Sequence, residues 1–197
     1  MTNKEVQKAR TLGFFVQAAK SIIEEEGTSA LSARKVGKRA GYSYATLYNY
    51  FKDMKELLAY CAFDYLNNCH QHLISLDTSK LSCLDTLLLH TKSYFLFFAK
   101  QPNVFHAVFI EDLGDYPTKL TSNTASISVG QLLYQQLEHC ANEGYILQEN
   151  IPILHQLIIA SVHGKLLFFM HKRHNQNLDS LAQSLHHEIL LLFSKNK

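Results

Sequence analysis

Apolar residues return every three or four positions along most of this chain, and no stretch alternates long enough to build the face of a strand. Leu12, Phe15, Val16, Ala19, Ile22 and Ile23 form one such stripe, which predicts a helix over 5–26 closed by Gly27. The same spacing predicts helices over 54–75, 80–100, 119–143, 151–174 and 178–195, and Pro102 predicts the first turn of a short helix carrying Val104, Phe105, Val108 and Phe109. Three Pro and eight Gly in 197 residues leave few places where such helices must break. The longest loop is expected over 113–124, with breaks at 142–152 and 175–177. The fold class read from the pattern is therefore all-α, with about nine helices.

With 47% hydrophobic and 18% charged residues, the chain can bury a core, which excludes disorder as its main state. The most apolar run, Leu157–Met170, is interrupted by His163, Gly164 and Lys165, so no membrane span is expected. Four scattered cysteines without a CxxC pair suit reduced thiols, and no export signal is visible. A cytoplasmic location is the expectation.

Charge divides the chain unevenly. Residues 1–52 carry nine Lys and Arg against four Glu, whereas the remainder carries ten basic against thirteen acidic residues. A basic first quarter on an acidic body is the asymmetry expected where one end meets a polyanion, although a small basic segment also occurs as a plain solvated face.

Within that quarter, Ser32 can cap a short helix with Ala33, Val36 and Ala40 inward and Arg34, Lys35, Lys38 and Arg39 outward, stopped by Gly41. Ser43 can cap a second, with Leu47 and Phe51 inward and Tyr44, Ala45, Thr46, Tyr48, Asn49 and Tyr50 at its open end or outer face. Two short helices joined by a glycine turn make a helix-turn-helix, and the first long helix supplies the third wall of a bundle. In a major groove, Asn49 could pair with adenine and the methyls of Thr46 or Ala45 could touch thymine. Hydroxyls of Ser32, Ser43, Tyr44, Tyr48 and Tyr50, and the charges of Arg34, Lys52 and Lys55, would reach phosphates. Taken singly, each tyrosine reads better as a core or surface ring, and the groove reading gains from the set within eight residues.

The run from Ser32 to Phe51, followed by Lys52 and the helix start Glu56-Leu57-Leu58, resembles the DNA-binding domain of TetR-family transcriptional regulators. The likeness includes Gly27, the Ala40-Gly41 turn, the Ser43 cap and Thr46-Leu47-Tyr48 ahead of Phe51. Beyond it, only helical content and the Gly144-Tyr145-Ile146 break match. The resemblance implies a DNA-binding domain over 1–52 and a ligand-binding and dimerisation domain over 53–197. It implies a homodimer, usually a repressor and less often an activator, that binds a palindromic double-stranded operator and holds a small effector among its central helices. Carried over by position, Tyr44, Ala45, Thr46, Tyr48, Asn49 and Tyr50 would face the groove. Two departures stand out. Met54 occupies the place of the family's phosphate-binding lysine, so either the adjacent Lys55 takes that role or the anchor is missing. Gly37 replaces the usual alanine, at about 1 kcal/mol in helix propensity.

Aromatic residues crowd the body, and although most must be core, Phe95, Phe98, His106, Phe109 and Phe168 are candidates to line a site for an apolar or aromatic effector. Leu157, Val162, Leu166 and Met170, with Leu185 and Ile189, are candidates for a dimer face, with an intrachain helix pair as the alternative. Gly164 would suit a close helix approach. Eleven histidines show no metal-ligand spacing, and no metal or cofactor is expected. No phosphate loop, nucleophile elbow or paired acid motif points to an enzyme. The competing readings are a ligand-binding or signalling module on the same fold without promoter regulation, and an interaction protein working through its last helices.

Overall fold

The computed structural model describes residues 2–116, 128–173 and 176–194. Among them are nine α-helices, two short 3-10 turns and no strand: α1 Asn3–Glu26, α2 Ala33–Ala40, α3 Tyr44–Leu47, α4 Met54–Ile74, α5 Cys83–Ala99, α6 Pro102–Phe109, α7 Val129–Asn142, α8 Ile151–Met170 and α9 Leu178–Ser194. Most starts carry a chemical cap. The hydroxyls of Ser32, Ser43, Ser82 and Ser128 each accept the backbone N–H three residues on, satisfying a donor the helix cannot. At α4, Asp53 accepts from Glu56 N and Glu56 accepts from Lys52 N, a box spread over five residues.

Two element ends differ from the expectation. The helix predicted to reach 174 stops at Met170, where Lys172 turns into the left-handed region at φ 52° and Arg173 N closes on Phe168 O at 2.8 Å. A non-glycine residue makes this turn, so no glycine signal exists to read. Of the helix predicted over 119–143, residues 129–142 form α7, while 119–127, like most of the expected 113–124 loop, lie outside the described residues.

The described residues pack as two compact units that interleave along the chain: 2–66 with 101–116, and 67–100 with 128–173 and 176–194. The division at 1–52 and 53–197 expected from the sequence follows chain order; the packing does not.

In the first unit α1, α2, α3, the start of α4 and α6 enclose Phe15, Ile22, Ile23, Val36, Leu47, Phe51, Leu57 and Val104, all essentially fully buried. Phe15 and Phe51 meet edge to face with centroids 6.3 Å apart. One ion pair enters this interior. Lys20, whose side chain is 8% exposed, places Nζ 2.5 Å from Asp64 Oδ2 and 4.6 Å from the centroid of Tyr65. The Tyr65 hydroxyl donates to Lys20 O at 3.1 Å, so α1 and α4 are locked by both charge and hydrogen bond.

The second unit packs α5, α7, α8 and α9 with the end of α4 around Leu87, Phe95, Phe98, Leu137, Ile158, Leu166, Leu181 and Leu185. Tyr94 Oη lies 2.8 Å from His163 Nε2 inside it. Burial pushes the tyrosine hydroxyl up and the imidazole down, so both are neutral at pH 7. Lys165 and Ser161 each donate to Glu188 at 2.6 Å, pinning α8 to α9.

One correction concerns α8. Taken with the turn before it, Gln148–Met170 is long and apolar enough to cross a membrane by length and composition alone, despite His163, Gly164 and Lys165. In this chain Ile151, Leu154, Ile158, Val162 and Leu166 are buried in the core of the second unit, and most of the remaining residues of α8 are exposed or half-exposed.

Candidate nucleic-acid interface

The geometry begins with a glycine. Gly41 closes α2 at φ 77°, ψ 24°, a left-handed conformation that costs a side-chain-bearing residue about 1 kcal/mol or more. The turn then folds back against α2 at Gly37, where a Cβ would lie 2.9 Å from Tyr42 O, 3.1 Å from Tyr44 N and 3.2 Å from Ser43 C. Backbone presses on backbone, so the glycine that looked like a propensity defect is what lets α3 start where it does. Ser43 then caps α3, its hydroxyl accepting Thr46 N at 3.1 Å and lying 2.8 Å from Thr46 Oγ1.

α3 itself is one turn long and tightens through Tyr50, with Asn49 N on Thr46 O and Tyr50 N on Leu47 O. Leu47 and Phe51 are buried behind it as expected. In front, Tyr44, Ala45, Tyr48 and Asn49 are exposed, with Ser32, Arg34, Ser43, Lys52 and Lys55 exposed around them. Arg34 sits over the Tyr44 ring at 6.0 Å. Thr46 is only half-exposed and its hydroxyl is engaged at the cap, which leaves its methyl as the group to offer. Tyr50 is also half-buried, its ring 5.7 Å from Phe15 at the bundle rim.

Electrostatics differ from the outward row read on α2. Arg39 makes a two-pronged pair with Glu25, both N–O distances 2.8 Å, and Lys35 reaches Glu26 at 2.5 Å. The guanidinium holds the Glu25 carboxyl below its usual range. These two cations clamp α2 to the end of α1. Lys55 likewise meets Asp112 at 2.5 Å, a partner invisible in the local sequence. Two aromatic residues that the sequence reading passed over flank the face: Phe14, nearly half exposed beneath Arg10 at 5.7 Å, and Tyr42, whose centroid is 6.5 Å from that of Phe14. Exposed rings beside exposed cations were the available signal.

The effector residues read from the sequence do not form one group within either unit. His106 and Phe109 belong to the first, where His106 Nδ1 lies 3.2 Å from Glu111 and Phe109 stacks on Phe105. Phe95, Phe98 and Phe168 belong to the second, the first two fully buried and Phe168 half exposed. The candidate dimer-face residues divide by burial. Val162, Leu166, Leu185 and Ile189 are at most 2% exposed within the single chain. Leu157 is exposed and Met170 partly so, and the apolar side chains that do face outward on α8 and α9 include Ile153, Leu167, Phe168 and Leu191. Among the described residues, a Cβ added at Gly164 would meet nothing within 4 Å.

Residues 15–61 match the family model of bacterial regulatory proteins, tetR family. Among curated proteins none matches the chain. Solved structures share its fold at low identity. RolR in complex with resorcinol matches at TM-score 0.71 and 16% identity over 93% of this chain and 89% of that one. The fatty acid degradation regulator FadR from Bacillus halodurans matches at TM-score 0.71 and 18% identity over 91% and 94%. The FadR repressor of Thermus thermophilus in complex with lauroyl-CoA matches at 0.69 and 15% over 91% and 93%. Residues 15–61 thus carry the DNA-binding domain of the tetR family of bacterial regulatory proteins, and the solved structures share the chain's fold over nearly its whole length.

Proposed function

We propose that this regulator is a cytoplasmic, non-enzymatic homodimeric repressor that reads a palindromic operator and is released by a small apolar or aromatic effector. The observation that carries the reading is the exposed row of Tyr44, Ala45, Tyr48 and Asn49 on a capped turn held from behind by buried Leu47 and Phe51. A rigid support with polar and aromatic tips outward suits base edges and phosphates in a major groove. Asn49 is the base reader, with Ala45 and the Thr46 methyl against thymine. Ser32, Arg34, Ser43, Tyr44, Tyr48, Tyr50, Lys52 and Lys55 position the protein on the backbone.

Two copies associate through α8 and α9, on the face bearing Leu157, Phe168 and Leu191, which are 44%, 50% and 61% exposed. Gly164, open on its free side, lies along the same helix. The effector enters the second unit, where Tyr94 and His163 give an aromatic interior a polar pair. The solved structures holding resorcinol and lauroyl-CoA support an effector of this kind. Binding that favours one arrangement of the dimer over another changes the match to operator spacing.

Selection of sites from random duplex DNA, with molar mass measured in solution, tests the proposal. An enriched palindrome bound by a dimer is expected; a folded dimer that enriches nothing at low salt rejects DNA reading by the free protein. Asn49→Ala should cost about 1–3 kcal/mol on the selected site and relax a single operator position. A uniform loss on every sequence would remove Asn49 from base reading.

A further inference from the structure

The segment after α6 packs with the DNA-binding unit and holds it at three points. The Thr28 hydroxyl donates to Glu111 Oε1 at 2.5 Å, Lys55 Nζ donates to Asp112 Oδ2 at 2.5 Å, and the Tyr116 hydroxyl donates to Asp53 Oδ2 at 2.9 Å. These contacts reach the turn after α1 and the start of α4 from one stretch of six residues. The segment is acidic. Residues 1–66 contain ten Lys and Arg against seven Asp and Glu, and 101–116 adds Glu111, Asp112 and Asp115 with no Lys or Arg. Over these residues ten acidic side chains match ten basic ones, so the acidic segment offsets the cationic excess of the first quarter.

Asp112 is aimed by the backbone. Its Oδ1 accepts Gly114 N at 3.0 Å, with Gly114 at φ 58°, which leaves Oδ2 for Lys55. Lys55 stands in the first turn of α4, where the helix dipole disfavours a cation. A residue chosen for helix stability there would be acidic, as Glu56 is. Lys55 is thus better placed to meet an external anion than to stabilise its helix, and Asp112 occupies it.

Resting on the DNA-binding reading above, we propose that Asp112 is a built-in competitor for DNA phosphate. Its carboxylate holds the Lys55 ammonium in the free protein and keeps part of the bound population from making that phosphate contact. Lys55 remains half-exposed, so it exchanges one anion for the other by side-chain rotation, with no helix unfolding. The contact tunes the sequence-independent part of affinity and leaves base reading to α3.

Anisotropy titrations of the full chain with a labelled random-sequence duplex over a salt series test this, with thermal melts as a folding control. Asp112→Asn keeps an oxygen for Gly114 and removes the charge. It should bind several-fold tighter at about 50 mM salt and steepen the slope of log K against log salt by up to about 0.9, one added phosphate contact. Asp115→Asn should change the slope much less, and Asp112→Asn should gain little in a Lys55→Ala background. Wild-type binding with an unaltered Asp112→Asn slope overturns the competitor role alone. Equal gains from Asp112→Asn and Asp115→Asn that persist without Lys55 overturn it in favour of a general charge effect. Absence of binding by both the wild type and Asp112→Asn overturns it together with the DNA-binding reading.

Discussion

Asp64→Ala should lower the unfolding free energy by about 3 kcal/mol, and Lys20→Met by less than about 1 kcal/mol, although the two residues form a single ion pair. The asymmetry follows from burial. Lys20 is 8% exposed at its side chain and Asp64 35% exposed, so deleting the carboxylate leaves a buried ammonium, packed against the Tyr65 ring, without its ion-pair partner. Deleting the ammonium leaves a carboxylate that water already reaches, and methionine fills the vacated volume with apolar atoms. Urea denaturation of the two variants and of their double mutant measures the difference. Equal losses would show that water reaches both charges alike and that the pair is an ordinary surface bridge.

Gly37→Ala should destabilise the protein by about 1–2 kcal/mol, even though alanine is the better helix former by about 1 kcal/mol. The new methyl would meet Tyr42 O at 2.9 Å and Tyr44 N at 3.1 Å, both main-chain atoms that cannot swing aside. Relief requires the turn to move away from α2 and take Tyr44 to Leu47 with it. Affinity for the selected operator should then fall on the order of tenfold, the size of one lost base contact. Gly13→Ala is the matched comparison. That glycine also lies within a helix, but a Cβ there meets nothing within 4 Å, so the change should stabilise by about 0.5–1 kcal/mol. A stabilised Gly37→Ala that still binds DNA would refute the close-packed turn.

The two glycines show where sequence reasoning stops. Both sit in helical patterns, and propensity treats them alike; only the chain folding back at Tyr42 distinguishes them. Lys20 was partly legible, because it shares a face with Val16 and Ile23 and a cation on an apolar stripe needs a partner. Its partner lies 44 residues away, beyond any local pattern. The apolar faces of the last two helices divide for a related reason. Leucine and isoleucine at helical spacing mark a face that must be covered, but periodicity does not say by what. Val162, Leu166, Leu185 and Ile189 are covered by the chain itself, whereas Leu157, Phe168 and Leu191 stay 44%, 50% and 61% exposed. The effector candidates were divided for the same reason, since residues near in sequence, Phe98 and His106, went to different packing units.

What the sequence determined by itself is local: helical class from a 3.6-residue period, helix starts from serines and Asp53 that satisfy their own backbone, the glycine turn at Gly41, and an α3 face whose polar tips follow from Leu47 and Phe51 pointing the other way. Each depends on residues within about one or two turns, where spacing fixes geometry. Tertiary structure decided which apolar faces are spent, which cations are already paired, and that an acidic segment more than fifty residues further on rests against Lys55. Those outcomes depend on contacts closed across long loops, where the energy belongs to the pair and neither residue carries it alone.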